Sequence, residues 1–213
     1  MLLEVLVNDV PSSNTEKSWE FRMNLLEIKK TSKLRLCFND EDGLWIEKTF
    51  IDGPTEFSPN HFTRNILGGL LETTEPTWDI FMDDVPMVTS QFTTLKTTKR
   101  DHYNAARKRM MCKVKEFRSN DKIDKAEILL FNDHSLITEG SITNIAVKMT
   151  DNNGTRYVTP HLTSGCLCGI MRYYLLKKGH IVEGDVPKGS LKDGDVILIF
   201  NGVMGCVKGT IRM

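Results

Sequence analysis

Thr138-Glu139-Gly140-Ser141-Ile142-Thr143-Asn144-Ile145-Ala146-Val147 places one carboxylate among small residues, directly ahead of an apolar strand. Gly, Ser and Thr in a row favour a turn whose backbone N–H groups and hydroxyls stay available. The stretch predicts a turn carrying Glu139 and a strand over residues 141–149. An acid held there can face a buried cation or a protonated ring nitrogen. By itself the stretch is also an ordinary loop-to-strand junction. Three other segments bear on the choice: residues 96–100, 159–172 and 201–205.

The flanking sequence alternates between strand and helix signals. Residues 127–131 read as a short buried strand. An Asp151-Asn152-Asn153-Gly154 turn joins residues 141–149 to a second strand over 156–159, stopped by Pro160, and the two form a hairpin. Tyr103, Ala106, Met110, Val114 and Phe117 recur at helical spacing within residues 97–118. A second helix is expected over residues 168–178, ending at Gly179. A buried strand follows over 195–200, and a turn and last strand begin at 202–206. Nearer the start, residues 33–38 and 44–50 alternate about an Asp40-Glu41-Asp42-Gly43 turn and read as a hairpin. Residues 19–30 are helix-like. Residues 52–90 are poorly patterned, broken by Pro54, Pro59, Pro76 and Pro86.

Composition narrows the function classes. The 28 basic and 28 acidic residues cancel, and no long basic run offers a nucleic-acid surface. No apolar stretch reaches the roughly 18 residues of a membrane helix. The apolar start lacks the basic flank of a signal peptide. Five cysteines, two of them only two positions apart at 166 and 168, fit reduced thiols in a cytoplasmic protein. Cys166, Cys168, His161 and His180 do not form a zinc spacing, so no metal is expected.

Four groups of residues can carry chemistry. Lys96 stands where an extended segment meets a helix start, with Lys99 and Arg100 close by. A partly buried amine beside other cations has a lowered pKa, which suits a Schiff-base lysine. A surface lysine has the same local sequence, and Lys99 competes for the role. Glu139 can hold a ring nitrogen protonated. Gly165 and Gly169 flank a helix start at Ile170-Met171-Arg172, where free N–H groups and the helix dipole favour phosphate. The Asn201-Gly202-Val203-Met204-Gly205 turn offers further backbone donors.

In chain order these are a lysine before a helix, a glutamate before a strand, Gly169-Ile170-Met171-Arg172 opening a helix, and an Asn-Gly turn. That order resembles the fold-type IV pyridoxal-phosphate enzymes, the class-IV aminotransferase-like family. Within it the chain is most similar to the fungal-type aminodeoxychorismate lyases. Residues 92–107, 139–147, 157–176 and 198–209 carry the likeness. The resemblance implies an α+β fold of the D-amino-acid aminotransferase-like kind. A truncated small α/β domain and linker would occupy residues 1–88, and a larger pseudo-barrel domain that binds pyridoxal 5'-phosphate (PLP) would occupy residues 89–213. It further implies that Lys96 carries PLP, with Arg100 four residues on. Glu139 would face the pyridine nitrogen. The N–H groups of Ile170 and Met171 would take the phosphate, with Val203 at a turn position where several aminotransferases have threonine. The implied activity converts 4-amino-4-deoxychorismate to 4-aminobenzoate and pyruvate in folate-precursor synthesis, in a homodimer. A branched-chain or D-amino-acid aminotransferase is one alternative. The other is an inactive or fragmentary homologue that binds no PLP. The family's small domain opens with a helix bearing a phosphate-binding arginine. No segment here matches it, the surroundings of Arg22 differ, and residue 1 is expected to start inside that domain.

Overall fold

The computed structural model describes residues 32–39, 43–50, 66–96, 99–117, 125–151 and 154–213. The chain divides into two compact units, Met1–Ser58 and Pro59–Met213. The helix expected over residues 19–30, with Arg22, lies outside the described residues. In the first unit β1 (Ser32–Asn39) and β2 (Gly43–Phe50) pair antiparallel, from Ser32 opposite Phe50 to Asn39 opposite Gly43. This is the hairpin that the alternation indicates.

The second unit is built on one eight-stranded mixed sheet. Its strands are β3 (Trp78–Met82), β4 (Ala126–Phe131), β5 (Ile137–Gly140), β6 (Asn144–Asp151), β7 (Gly154–Pro160), β8 (Val182–Gly184), β9 (Val196–Asn201) and β10 (Gly205–Arg212). Their order is β5-β4-β3-β10-β9-β6-β7-β8. β3 lies parallel to both β4 and β10, and β7 parallel to β8. The remaining neighbours are antiparallel. The two edges of the sheet curl towards each other. The Ile137 N–H donates to the Val186 carbonyl at 2.8 Å, and Leu136 bridges to Pro187. The result is the pseudo-barrel that the resemblance implies.

Alternation along the strands explains the curl. Ile80, Leu129, Ile145, Ile197, Ile199 and Ile211 point into one buried cluster. Their neighbours point the other way. Phe81, Ile128 and Leu130 pack under the helix α2 (Asp101–Phe117) against Tyr103, Ala106, Met110 and Val114. Ala146, Leu198 and Phe200 pack under α3 (Ile170–Lys177) against Met171 and Leu175. A sheet covered on both faces needs strands that are apolar throughout, which is how 128–131 and 197–200 read. A single helical turn, α1 (Gln91–Thr94), stands ahead of α2.

Several elements differ from the sequence reading. Residues 52–90 hold a strand after all. Trp78–Met82 lies between Pro76 and Pro86, is buried at Ile80, Phe81 and Met82, and pairs on both sides. Three consecutive buried residues, Ile80, Phe81 and Met82, leave no alternation for a pattern to show. α3 begins at Ile170 rather than 168, with Gly169 extended at its N-cap. Phe117 closes the apolar series of α2 but is 51% exposed, its ring meeting Phe81 edge-on.

Because Ile80 sits fully buried at the middle of the sheet, Ile80→Ala is expected to lower unfolding stability by about 2–5 kcal/mol. Val88→Ala, at a position 84% exposed, is expected to change it by less than about 0.5 kcal/mol. Urea denaturation midpoints of the two variants measure the difference.

Candidate functional site

Glu139 is not on a turn. It is the third residue of β5, and only 3% of it is exposed. The strand expected from residue 141 begins instead at Asn144, and residues 141–143 form the turn. The physical reason is that neighbouring donors satisfy the carboxylate, so a charged residue can lie inside a strand. The Tyr103 hydroxyl donates to Glu139 Oε1. The Leu167 N–H donates to Oε2 at 3.2 Å, and Asn144 Nδ2 approaches the same oxygen at 3.4 Å.

All three donors are neutral. Among the described residues no lysine or arginine pairs with Glu139 directly. Burial therefore outweighs the hydrogen bonds and the nearby Arg100, and pushes the Glu139 carboxyl up to about 8. Burial and the Glu139 charge together raise the Tyr103 hydroxyl far above its usual range. The arrangement holds a carboxylate in place without a cation against it. A protonated ring nitrogen is the kind of group that completes it.

The three other segments converge on this strand to different degrees. Asn144 Nδ2 donates to the Leu167 carbonyl at 2.8 Å, tying the strand after Glu139 to the loop before α3. The loop passes so close that a Cβ on Gly169 would collide with Asn144 Oδ1. The helix ladder of α3 starts with Tyr173 N–H donating to Gly169 O at 2.9 Å. The amides of Ile170, Met171 and Arg172 thus precede it, and no side chain caps them. From the far side, Asn201 Nδ2 donates to Ile142 O at 3.1 Å, and a Cβ on Gly202 would meet Ile170 Cγ2 at 2.8 Å. The Asn201 turn, the Glu139 strand and the start of α3 therefore share one corner of the fold. These groups fit PLP: an acid for the ring nitrogen and an uncapped helix end for the phosphate.

Two residues of the sequence reading sit differently from expectation. Lys96 is exposed rather than partly buried. Its neighbour Leu95 is 61% exposed, so nothing apolar draws this segment inward. Arg100, four residues on, does reach the site: its Nη2 donates to Ser141 O at 2.7 Å and its guanidinium lies 4.5 Å from the Tyr103 ring centre. Val203 is 55% exposed, and its N–H donates to its own Asn201 Oδ1 at 2.8 Å. Its backbone donor is thus engaged within the turn.

Sequence reading missed Tyr103, Asn144 and Glu127. Tyr103 counted only as an apolar helix position, although a buried tyrosine hydroxyl needs a partner. Glu127, fully buried, opens the apolar run 128–131, and a charge there has to be paired. Asn144 carried no signal beyond its place ahead of an apolar strand. A cavity of about 570 Å³, lined by Leu70, Glu72, Lys148, Arg156, Tyr157 and Lys208 among others, shares no residue with this corner.

The raised Glu139 has a consequence for stability. Without a cofactor the folded protein holds this proton up to about pH 8, whereas the unfolded chain releases it near the ordinary value of 4.5. Between those values the folded state binds more protons, so stability falls as pH rises, by up to about 1.4 kcal/mol per pH unit. Urea midpoints of the cofactor-free protein at pH 5.5 and 7.5 are expected to show this fall. Glu139→Gln is expected to remove most of it.

Known proteins place these features in one family. The Amino-transferase class IV model matches residues 62–210. The chain is similar to the aminodeoxychorismate lyase of Saccharomyces cerevisiae, at 47% identity over 156 residues, 71% of this chain and 42% of that protein. The chain therefore spans less than half the length of this curated relative. Among solved structures it resembles the 4-amino-4-deoxychorismate lyase of Pseudomonas aeruginosa (TM-score 0.57, 17% identity, covering 91% of this chain and 69% of that one). It also resembles a Mesorhizobium loti protein described as a candidate amino-acid aminotransferase (TM-score 0.66, 19% identity, covering 99% and 88%). At such identities the structures speak for the fold alone. With the family model spanning most of the sequence over a curled mixed sheet, the chain belongs to the class IV aminotransferase family.

Proposed function

We propose that this chain belongs to a PLP-dependent lyase that splits 4-amino-4-deoxychorismate into 4-aminobenzoate and pyruvate. The observation that carries the reading is the identity to the yeast lyase, and the geometry around Glu139 agrees with it. In this reading Glu139 accepts the pyridinium N–H, which supplies the cation its buried carboxylate lacks. The Ile170 and Met171 amides take the phosphate at the positive end of α3. Val203 adds its N–H only if that group leaves Asn201 Oδ1.

Lys96 Nζ would hold the cofactor, and as a free amine it would take the proton from the carbon that bears nitrogen. Bound PLP supplies an electron sink. Loss of the enolpyruvyl group by cleavage of its C–O bond to the ring would leave an aromatic ring, and Lys96 would return a proton to the methylene carbon of the departing enolpyruvate, giving pyruvate. The exposure of Lys96 leaves the amine open to such a ligand. A small-molecule substrate, a homodimer and a cytoplasmic location complete the reading. Among the described residues no helix is long and apolar enough to cross a membrane.

Addition of PLP to the wild-type chain is expected to give a new visible absorbance band, and 4-amino-4-deoxychorismate to give pyruvate. Lys96→Ala is expected to abolish the band and to slow pyruvate release by at least about 1000-fold. Retention of either sinks the assignment of Lys96. Amino transfer to a 2-oxo acid, with no pyruvate formed, replaces the lyase reading by a branched-chain or D-amino-acid aminotransferase.

A further inference from the structure

Glu127 is a second buried carboxylate, on β4, and its surroundings are the reverse of those of Glu139. It accepts five hydrogen bonds: from its neighbour Ile128 N–H at 2.9 Å, Ser141 N–H at 3.0 Å, Ser141 Oγ at 2.5 Å, Ile142 N–H at 3.1 Å and Thr143 Oγ1 at 2.9 Å. Arg107 Nη1 stands 4.0 Å away. Four of the five donors belong to residues 141–143, the turn that directly follows Glu139 and Gly140. Successive backbone N–H groups and hydroxyls aimed at one anion form a nest, here filled by a side chain of the protein.

The turn has no slack. Gly140 N–H donates to Thr143 O at 2.8 Å and closes it. A Cβ on Gly140 would stand 2.8 Å from Glu127 Cδ and would collide with Thr143 Oγ1. The chain therefore passes hard against the Glu127 carboxylate one residue after Glu139. The same turn gathers the other parts of the site. Ser141 O accepts from Arg100, Ser141 Oγ accepts from Arg107 Nη1 at 3.0 Å, and Ile142 O accepts from Asn201. Glu127 is wholly buried and ringed by donors, so it has no open face for a substrate. Its reach is through the turn.

We propose that Glu127 is a positioning residue for the cofactor-binding acid. It clamps residues 141–143 onto β4, so that Glu139 presents its carboxylate between the Tyr103 hydroxyl and the Leu167 amide. The proposal rests on the reading of Glu139 as the partner of the pyridine nitrogen. By joining Ser141 to Arg100, the clamp also fixes the start of α2 that follows Lys96. Removing one such supporting group is expected to weaken cofactor binding about tenfold or more.

The test uses the full chain with Glu127→Gln, whose amide turns a donor towards the Ile142 N–H or the Thr143 hydroxyl. The readout in the cofactor-free protein is the amide NMR signal of Leu167, which titrates with the carboxylate it donates to. The titratable and charged groups facing Glu139 are Tyr103 from α2, Arg100 just ahead of it, Cys166 from the loop before α3, and Glu127 from β4. In Glu127→Gln the Leu167 titration is expected to lose more than half its amplitude while core amides such as Ile197 stay unmoved. PLP affinity, followed by visible absorbance, is expected to fall at least tenfold. An unchanged Leu167 titration overturns the proposal whatever the affinity does. If Glu127→Gln does not fold, Thr143→Val removes one of the five bonds at constant volume. It is expected to shift the Leu167 signal in the same direction, and no shift overturns the proposal. A wild-type chain that binds no PLP overturns the cofactor reading instead, and the Leu167 signal still decides the role of Glu127.

Discussion

A curled sheet packed on both faces has almost no room for charge in its middle. Ile80, Leu129, Ile197 and Ile211 fill its interior, and α2 and α3 cover the outside. Buried charge is met by hydrogen-bond partners, as at Glu127, Glu139 and Lys208. The two glutamates share one corner, where β5 meets the turn at 141–143, the loop before α3 and the Asn201 turn. The same packing that stabilises the unit thus chooses the place of the site.

Two glutamates lie twelve residues apart in sequence at that corner, and their environments separate them. Glu127 accepts five hydrogen bonds with Arg107 nearby. Glu139 accepts from Tyr103, Leu167 and Asn144, all neutral, and burial keeps its proton on to about pH 8. One carboxylate is satisfied by the protein and the other awaits a cation. Identical side chains take structural and chemical roles through surroundings alone.

The legibility of these parts followed their physics. The α2 stripe showed in the spacing of Tyr103, Ala106, Met110 and Val114, because a helix buried on one side must repeat its apolar residues. The hairpins at 33–50 and 144–160 showed through alternation and turn residues. β3 was hidden, since its buried residues Ile80, Phe81 and Met82 run consecutively and prolines flank it. Glu139 was expected on a turn and lies in a strand. Glu127 and Tyr103 were passed over because a sequence shows a glutamate and a tyrosine, not the donors and acceptors that reach them across strands.

By itself the sequence determined the family resemblance, through the order of Lys96, Glu139, the Gly169-Ile170-Met171-Arg172 segment and the Asn201 turn. It determined most element boundaries to within two or three residues, since local periodicity and capping are properties of neighbouring residues. Only the tertiary structure decided that Glu139 is buried in a strand, that Tyr103 and Leu167 hold it, and that Glu127 grips the turn beside it. It also decided that Lys96 lies exposed and that the Val203 amide is spent on Asn201. The contacts that Tyr103, Leu167 and the 141–143 turn make with the two glutamates join residues 14 to 36 positions apart, and their meeting is set by sheet order and helix packing, which no local stretch of chain encodes.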